Sequence, residues 1–202
     1  MRKGLISLLV ALALIAVGCG RLQVAGTERV AIGRAYTVDP QIEWSAASQG
    51  NRDVWTVDGL TLQAVHFIKG VRKGWTLLGN RGAQNDEWPT FDPGMTPHES
   101  LEFIVASLSR FGLANVEPYG LRPQPFGQAQ GFRFDFDFLY PDGLEGRGLA
   151  AGAVIDDRLQ LILYVGARQH YFPEYLDEVE AIIASIENGA DAEGPGNVVL
   201  HE

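Results

Sequence analysis

Gly131-Phe132-Arg133-Phe134-Asp135-Phe136-Asp137-Phe138-Leu139-Tyr140 alternates large apolar and charged side chains without a break from Phe132 to Phe138. Successive side chains on a strand point to opposite faces. A period of two therefore puts Phe132, Phe134, Phe136 and Phe138 on one face and Arg133, Asp135 and Asp137 on the other. On a helix the same residues would be scattered around the whole surface. The stretch is read as a strand, and its phenylalanine face requires a second layer to cover it.

Downstream, Pro141-Asp142-Gly143 supplies a turn, Gly148 to Ile155 a returning strand, Asp156-Asp157 a second turn, and Leu159 to Ala167 a third strand. Short strands joined by such turns make an antiparallel meander. The returning strand is poor in bulk at Gly148, Ala150, Ala151, Gly152 and Ala153. Close approach of a packed helix is the simplest reading of that poverty, with a ligand as the alternative. A helix opening at Pro173 presents Tyr175, Leu176, Val179, Ile182, Ile183 and Ile186 as one apolar stripe and turns Glu174, Asp177, Glu178 and Glu180 to water.

Upstream, Pro118, Pro123 and Pro125 mark a linking segment. Before it, Thr96-Pro97-His98-Glu99 has the form of a capping box: the threonine hydroxyl accepts from the Glu99 amide, Glu99 reaches back, and Pro97 suits the first helical position. Leu101, Ile104, Val105, Leu108 and Phe111 follow at helical spacing, and Gly112 is placed to end the helix. Still earlier, Val30 to Val38 reads as a first strand closed by Asp39-Pro40. Trp55-Thr56-Val57 and Leu60 to Ile68 read as a hairpin about Asp58-Gly59. Gly79 to Gly94 reads as a long polar loop. Its Trp88, flanked by Asp86, Glu87 and Asp92, either pins the loop to the core or contacts a ligand. The expected fold class is α+β, a largely antiparallel sheet with helices packed on it, in one domain spanning 29–187 with a patternless tail at 188–202.

The order of these elements, carried by Gly131 to Tyr140, Gly148 to Ala167 and the helix of Tyr171 to Ile186, resembles the α/β/α sandwich of the PsbP-like and DcrB-like proteins. Proteins of that resemblance serve as photosystem accessory subunits, as bacterial envelope lipoproteins and as binding partners of other proteins, mostly without catalysis. What the resemblance implies is therefore a non-enzymatic accessory module, with no individual residue carried over.

The N-terminus speaks to location. Arg2 and Lys3 precede an apolar run from Leu5 to Val17, the layout of a secretory signal covering 1–18. The run is shorter than the roughly 20 residues a membrane-crossing helix needs. Ala16-Val17-Gly18-Cys19 resembles the lipobox of bacterial lipoproteins, with Ala16 where leucine is commonest. Lipidation of Cys19 is the implied modification, and Gly20 rather than Asp after it implies the outer membrane, facing the periplasm. Cys19 is also the chain's only cysteine, so an internal disulfide is excluded. An ordinary signal peptide that happens to end near Cys19 is the alternative. Residues 19–28 would form the lipidated tether.

Composition limits the partners. Loss of Arg2 and Lys3 with the signal takes the net charge from -9 to -11, which disfavours nucleic acid and leaves membrane attachment to the lipid rather than to a basic surface. A content of 46% hydrophobic residues argues for a folded body rather than disorder.

Motifs for chemistry are sparse. No histidine pair has zinc spacing. His170 and Glu174, four apart, are explained by surface pairing or capping, and His98 is read as a surface residue. No metal or other cofactor is expected. The candidate contact residues are Trp88, Asp92, Arg133, Asp135 and Asp137. The leading expectation is an envelope module, no enzyme, that binds another envelope protein or assists an assembly. The alternative is a small-ligand or metal-binding module using the 79–94 loop. Acid/base hydrolysis through Asp135 and Asp137 is the third reading, and it would need a raised pKa on one carboxylate.

Overall fold

A computed structural model describes residues 23–78 and 88–189. The signal segment, Cys19, residues 79–87 of the 79–94 loop and nearly all of the 188–202 tail lie outside them.

The phenylalanine strand, β8 (Ala129–Leu139), pairs antiparallel with β9 (Glu145–Ile155), and β9 with β10 (Arg158–Ala167), as the expected meander. The β9–β10 turn places Asp156 and Asp157 at φ 50° and 58°. Two successive left-handed residues match the right-handed twist of a tight hairpin, and aspartate tolerates that region better than most residues. The cross-strand partners explain the small residues of β9: Phe134 faces Ala150, Phe136 faces Gly148 and Phe138 faces Gly146. A Cβ added to Gly148 or Gly146 would collide with the ring of its partner phenylalanine. The rings of β8 thus lie across the neighbouring strand, and this, rather than a helix, is what keeps that row of β9 small.

Over the phenylalanine face lies α1 (Pro97–Arg110). Both halves of its expected capping box are formed, Glu99 N–H donating to Thr96 Oγ1 at 3.2 Å and Thr96 N–H to Glu99 Oε2 at 2.7 Å. Leu101, Ile104 and Leu108 are buried as the spacing requires. Phe111 instead stands at the helix end, 42% exposed.

The opposite face carries α2 (Tyr171–Glu174), α3 (Leu176–Ala184) and a small sheet. The second helix is thus two pieces, hinged at Tyr175 (φ -112°) and starting ahead of Pro173, which the first turn accommodates because its missing N–H has no helical partner there. Phe172 stacks on Tyr164 with ring centroids 4.9 Å apart, and the Tyr164 hydroxyl donates to the Phe172 carbonyl at 3.0 Å.

The remaining strands are β1 (Gln23–Ala25), β2 (Val30–Ile32), β3 (Tyr36–Val38), β4 (Trp44–Gln49), β5 (Arg52–Thr56), β6 (Gln63–Val71), β7 (Ala114–Phe126) and β11 (Glu187–Asn188). Among the described residues the main sheet has eight strands, in the order β1-β4-β5-β6-β10-β9-β8-β7. The small sheet has three, β11-β3-β2. Every pairing is antiparallel. The expected α+β class, an antiparallel sheet with helices on it, is what the structure shows.

Four local expectations are corrected. Val30 to Val38 is two strands, because Gly33 at φ 62° folds it into a hairpin that pairs Ile32 with Tyr36. Gln23–Ala25, placed in the 19–28 tether, is the edge strand β1, paired with β4. Asn188, assigned to the tail, ends β11 against β3. The proline-marked link is the 13-residue strand β7, which among the described residues has β8 as its only sheet neighbour. Prolines survive there because an edge strand leaves half its backbone donors unpaired in any case.

Candidate functional site: a charged strand face and a basic cleft

The alternation of β8 delivers Arg133, Asp135 and Asp137 to the face shared with α3, and each is engaged there. Arg133, 8% exposed, forms a two-pronged pair with Glu180 of α3 and lies 3.4 Å from Asp135. Asp135 in turn accepts from Arg122 Nη1 of β7 at 3.0 Å. Asp137 accepts from Arg147 of β9 through Nε (2.8 Å) and Nη2 (3.3 Å), with Arg168 3.9 Å away. The result is a chain of charges of alternating sign running from α3 across β8 to the β7 edge, followed by a second cluster at the start of β9.

That geometry bears on the acid/base reading. The Arg147 hydrogen bonds hold the Asp137 carboxyl below the usual carboxylate range, with the Arg147 and Arg168 charges adding to the effect. A carboxylic acid that donates a proton near neutrality needs the opposite shift. Next to the row, β7 places Tyr119, 45% exposed, opposite Asp135 in register, and Leu121 is 37% exposed beside it.

Trp88 and Asp92 belong to the other side of the molecule and do not join the charged row. Trp88 packs on Phe111 at the end of α1, with centroids 5.2 Å apart. Asp92 caps the Gly94 amide at 2.9 Å and pairs with Lys73 at 2.8 Å; the Lys73 hydrogen bond is the main cause of its lowered pKa. Both residues therefore have packing or loop-closing roles. The part of the 79–94 loop that would complete a ligand site lies outside the described residues. Among the described residues no three His, Cys, Asp or Glu side chains gather as a metal site would require. His98 pairs with Glu102 at 3.4 Å on the α1 surface, and His170 contacts the Tyr171 ring while its carbonyl accepts from the Glu174 amide.

The sequence did not point to a cleft at the end of the sandwich, of about 480 Å³, between the β2–β3 turn, the β4–β5 turn, the end of β6 and the β9–β10 turn. It is lined by Arg34, Lys69, Arg158, Asp156 and Gln160, with bare backbone at Gly33, Gly50 and Gly70. These three glycines have φ of 62°, 60° and 71°, the left-handed region that favours glycine. Lys69 lies against Gly33, and its Nζ is 2.6 Å from Asp53; Arg158 and Gln160 lie over Gly70. Gln160 is 4% exposed, and its Oε1 has no hydrogen-bond partner in the described structure. The one sequence signal was a glycine beside a cation at two places far apart in the chain, Gly33-Arg34 in the β2–β3 turn and Lys69-Gly70 near the end of β6.

No protein-family model and no curated protein matches this sequence. Among solved structures, the chain is similar to the solution structure of cyanobacterial PsbP (CyanoP) from Synechocystis sp. PCC 6803, with a TM-score of 0.49 and 12% identity over 86% of this chain and 96% of that one. It is also similar to LpqN, described as involved in cell envelope biogenesis, of Mycobacterium tuberculosis, with a TM-score of 0.38 and 11% identity over 86% of this chain and 87% of that one.

Proposed function

We propose that this chain is an envelope lipoprotein, held at the periplasmic face of the outer membrane by lipid on Cys19, whose folded part works by binding another envelope protein rather than by catalysis. The observation that carries the reading is Ala16-Val17-Gly18-Cys19 at the end of an apolar run, four residues ahead of the strand that opens at Gln23. Four residues reach at most about 14 Å. The β1 edge of the sheet is thereby kept close to the bilayer surface. The β7 edge, seven strand spacings away, can stand about 33 Å further out. There Tyr119 and Leu121 border a charged row whose members are already paired, a surface suited to a complementary polar partner, since tyrosine and arginine are favoured at interfaces. The committed carboxylates of that row support binding over acid/base work.

Cell fractionation of a Cys19→Ser variant tests the anchor: the protein should leave the membrane fraction, and unchanged sedimentation with membranes would overturn that half of the reading. A photocrosslinking side chain at Tyr119 tests the other half. It should capture an envelope protein, whereas the same group at Leu60, in the β5–β6 turn, should not. Absence of any adduct from Tyr119 in living cells would reject the interaction surface.

A further inference from the structure

The basic cleft goes unused in that reading and belongs wholly to the described residues, so it stands whether or not Cys19 carries lipid. In a chain of net charge -9 it gathers Arg34, Lys69 and Arg158 around one opening, with Asp156 as the only carboxylate in its lining. Lys69 is neutralised by Asp53, but among the described residues neither Arg34 nor Arg158 has an ion-pair partner. Beside them the Gln160 amide is buried with its oxygen unpartnered, an arrangement that a hydrogen-bond donor would relieve.

We propose that this cleft binds a phosphate-bearing group that also presents a hydroxyl or amine. Two free guanidinium groups suit a phosphate, which can take two-pronged hydrogen bonds from arginine and carries enough charge to answer both; a single carboxylate would leave one unanswered. A half-turn of the Gln160 amide, whose Nε2 lies next to Gly70, would bring its unpartnered oxygen round to that hydroxyl or amine. The bare backbone at Gly33 and Gly70 keeps the floor open: a side chain at Gly70 would crowd Arg158 and Gln160, with Cβ contacts of 3.3 and 3.4 Å.

Two sources offer this chemistry, a free phosphorylated metabolite and a phospholipid headgroup. The second fits the geometry, because β1 runs antiparallel to β4, with Gln23 opposite Ala46. The chain therefore enters the sheet from the end that carries Gly50 and the cleft.

The test uses the full chain carrying Cys19→Ser, so that no anchor contributes, with inorganic phosphate, sn-glycerol 3-phosphate and vesicles of phosphatidylcholine with or without phosphatidylglycerol. Glycerol 3-phosphate should bind saturably by calorimetry, more tightly than phosphate alone. Arg34→Gln and Arg158→Gln, both at exposed positions, should each weaken it at least fivefold without altering the circular dichroism spectrum. Gln160→Leu should erase the preference for glycerol 3-phosphate over phosphate. Binding to phosphatidylglycerol vesicles that free glycerol 3-phosphate displaces assigns the headgroup as source, and soluble ligand without vesicle binding assigns the metabolite. If no probe binds, or if both arginine variants bind as well as the parent, the proposal fails.

Discussion

Arg133 on β8 and Glu180 on α3 form a two-pronged ion pair, with N–O separations of 2.5 Å on both prongs, that fastens the helix to the sheet. The two partners differ in exposure: the Arg133 side chain is 10% exposed and that of Glu180 40%. Removing Glu180 strands a guanidinium with only the longer contact to Asp135, whereas removing Arg133 leaves a carboxylate that water can reach. Glu180→Ala should therefore lower stability by about 1–3 kcal/mol, and Arg133→Met by less. Urea unfolding of the two variants would settle the order, and a larger loss from Arg133→Met would contradict it.

The phenylalanine ladder makes a sharper prediction. Phe136 lies over Gly148, and Phe138 over Gly146. A single methyl at Gly148 has no space unless the ring moves, and the ring is fully buried, against Phe134 and Phe138. Gly148→Ala should cost about 1–3 kcal/mol by overpacking, although alanine is ordinarily at least as good as glycine in a strand. Gly148→Ala with Phe136→Leu should recover part of the loss. If the double variant is merely the sum of the two singles, the contact is not the cause.

The same ladder shows how far the sequence could be read. Strict alternation from Phe132 to Phe138 reveals a half-buried strand because the period of two is a property of the backbone itself, and the Thr96 to Glu99 box reveals a helix start because its chemistry is local. The small residues of β9 were visible too, but what kept them small was a neighbouring strand, a cross-strand fact that no single segment carries. β4, with Trp44-Ser-Ala-Ala-Ser-Gln49, has no alternation to read; it is a strand because β1 and β5 pair with it on either side. The charged row on β8 was legible as a shared face but its partners were not, since Arg122, Arg147, Arg168 and Glu180 come from four other places in the chain. The basic cleft is the extreme case, assembled from turns that only the finished sheet brings together.

His66 gives the fold a pH dependence. It lies on β6 between Val54 and Leu163 in register, partly covered, and burial pushes its pKa down from 6.5 to about 4, with the Arg52 charge adding to the effect. The folded state thus holds a neutral imidazole that the unfolded chain protonates near pH 6.5. Its contribution is complete above that pH and is lost as pH falls toward 4, by about 1–2 kcal/mol at pH 5. Unfolding free energies at pH 7.5 and 5.0 should differ by that amount in the parent and by clearly less in His66→Gln. An equal difference in both proteins would assign the acid sensitivity to other groups.

The β7 edge carries the last prediction. A 13-residue strand with one paired side is a template for another strand, and Pro118, Pro123 and Pro125 interrupt it where they pair with Phe136, Phe132 and Gln130. Proline has no N–H to offer and fixes φ, so a second strand cannot form a continuous ladder along this edge. Replacing all three by valine restores the donors and raises strand propensity without touching the core. Sedimentation velocity should show the triple variant forming dimers or larger species at concentrations where the parent sediments as a single smaller species. Added salt should weaken that association less than it weakens an ionic contact, because main-chain bonds would hold it. If the triple variant sediments like the parent, the prolines have no guarding role, and the twist of β7 at its register shifts around Ala114 to Glu117 and Tyr119 to Arg122 must be what protects the edge.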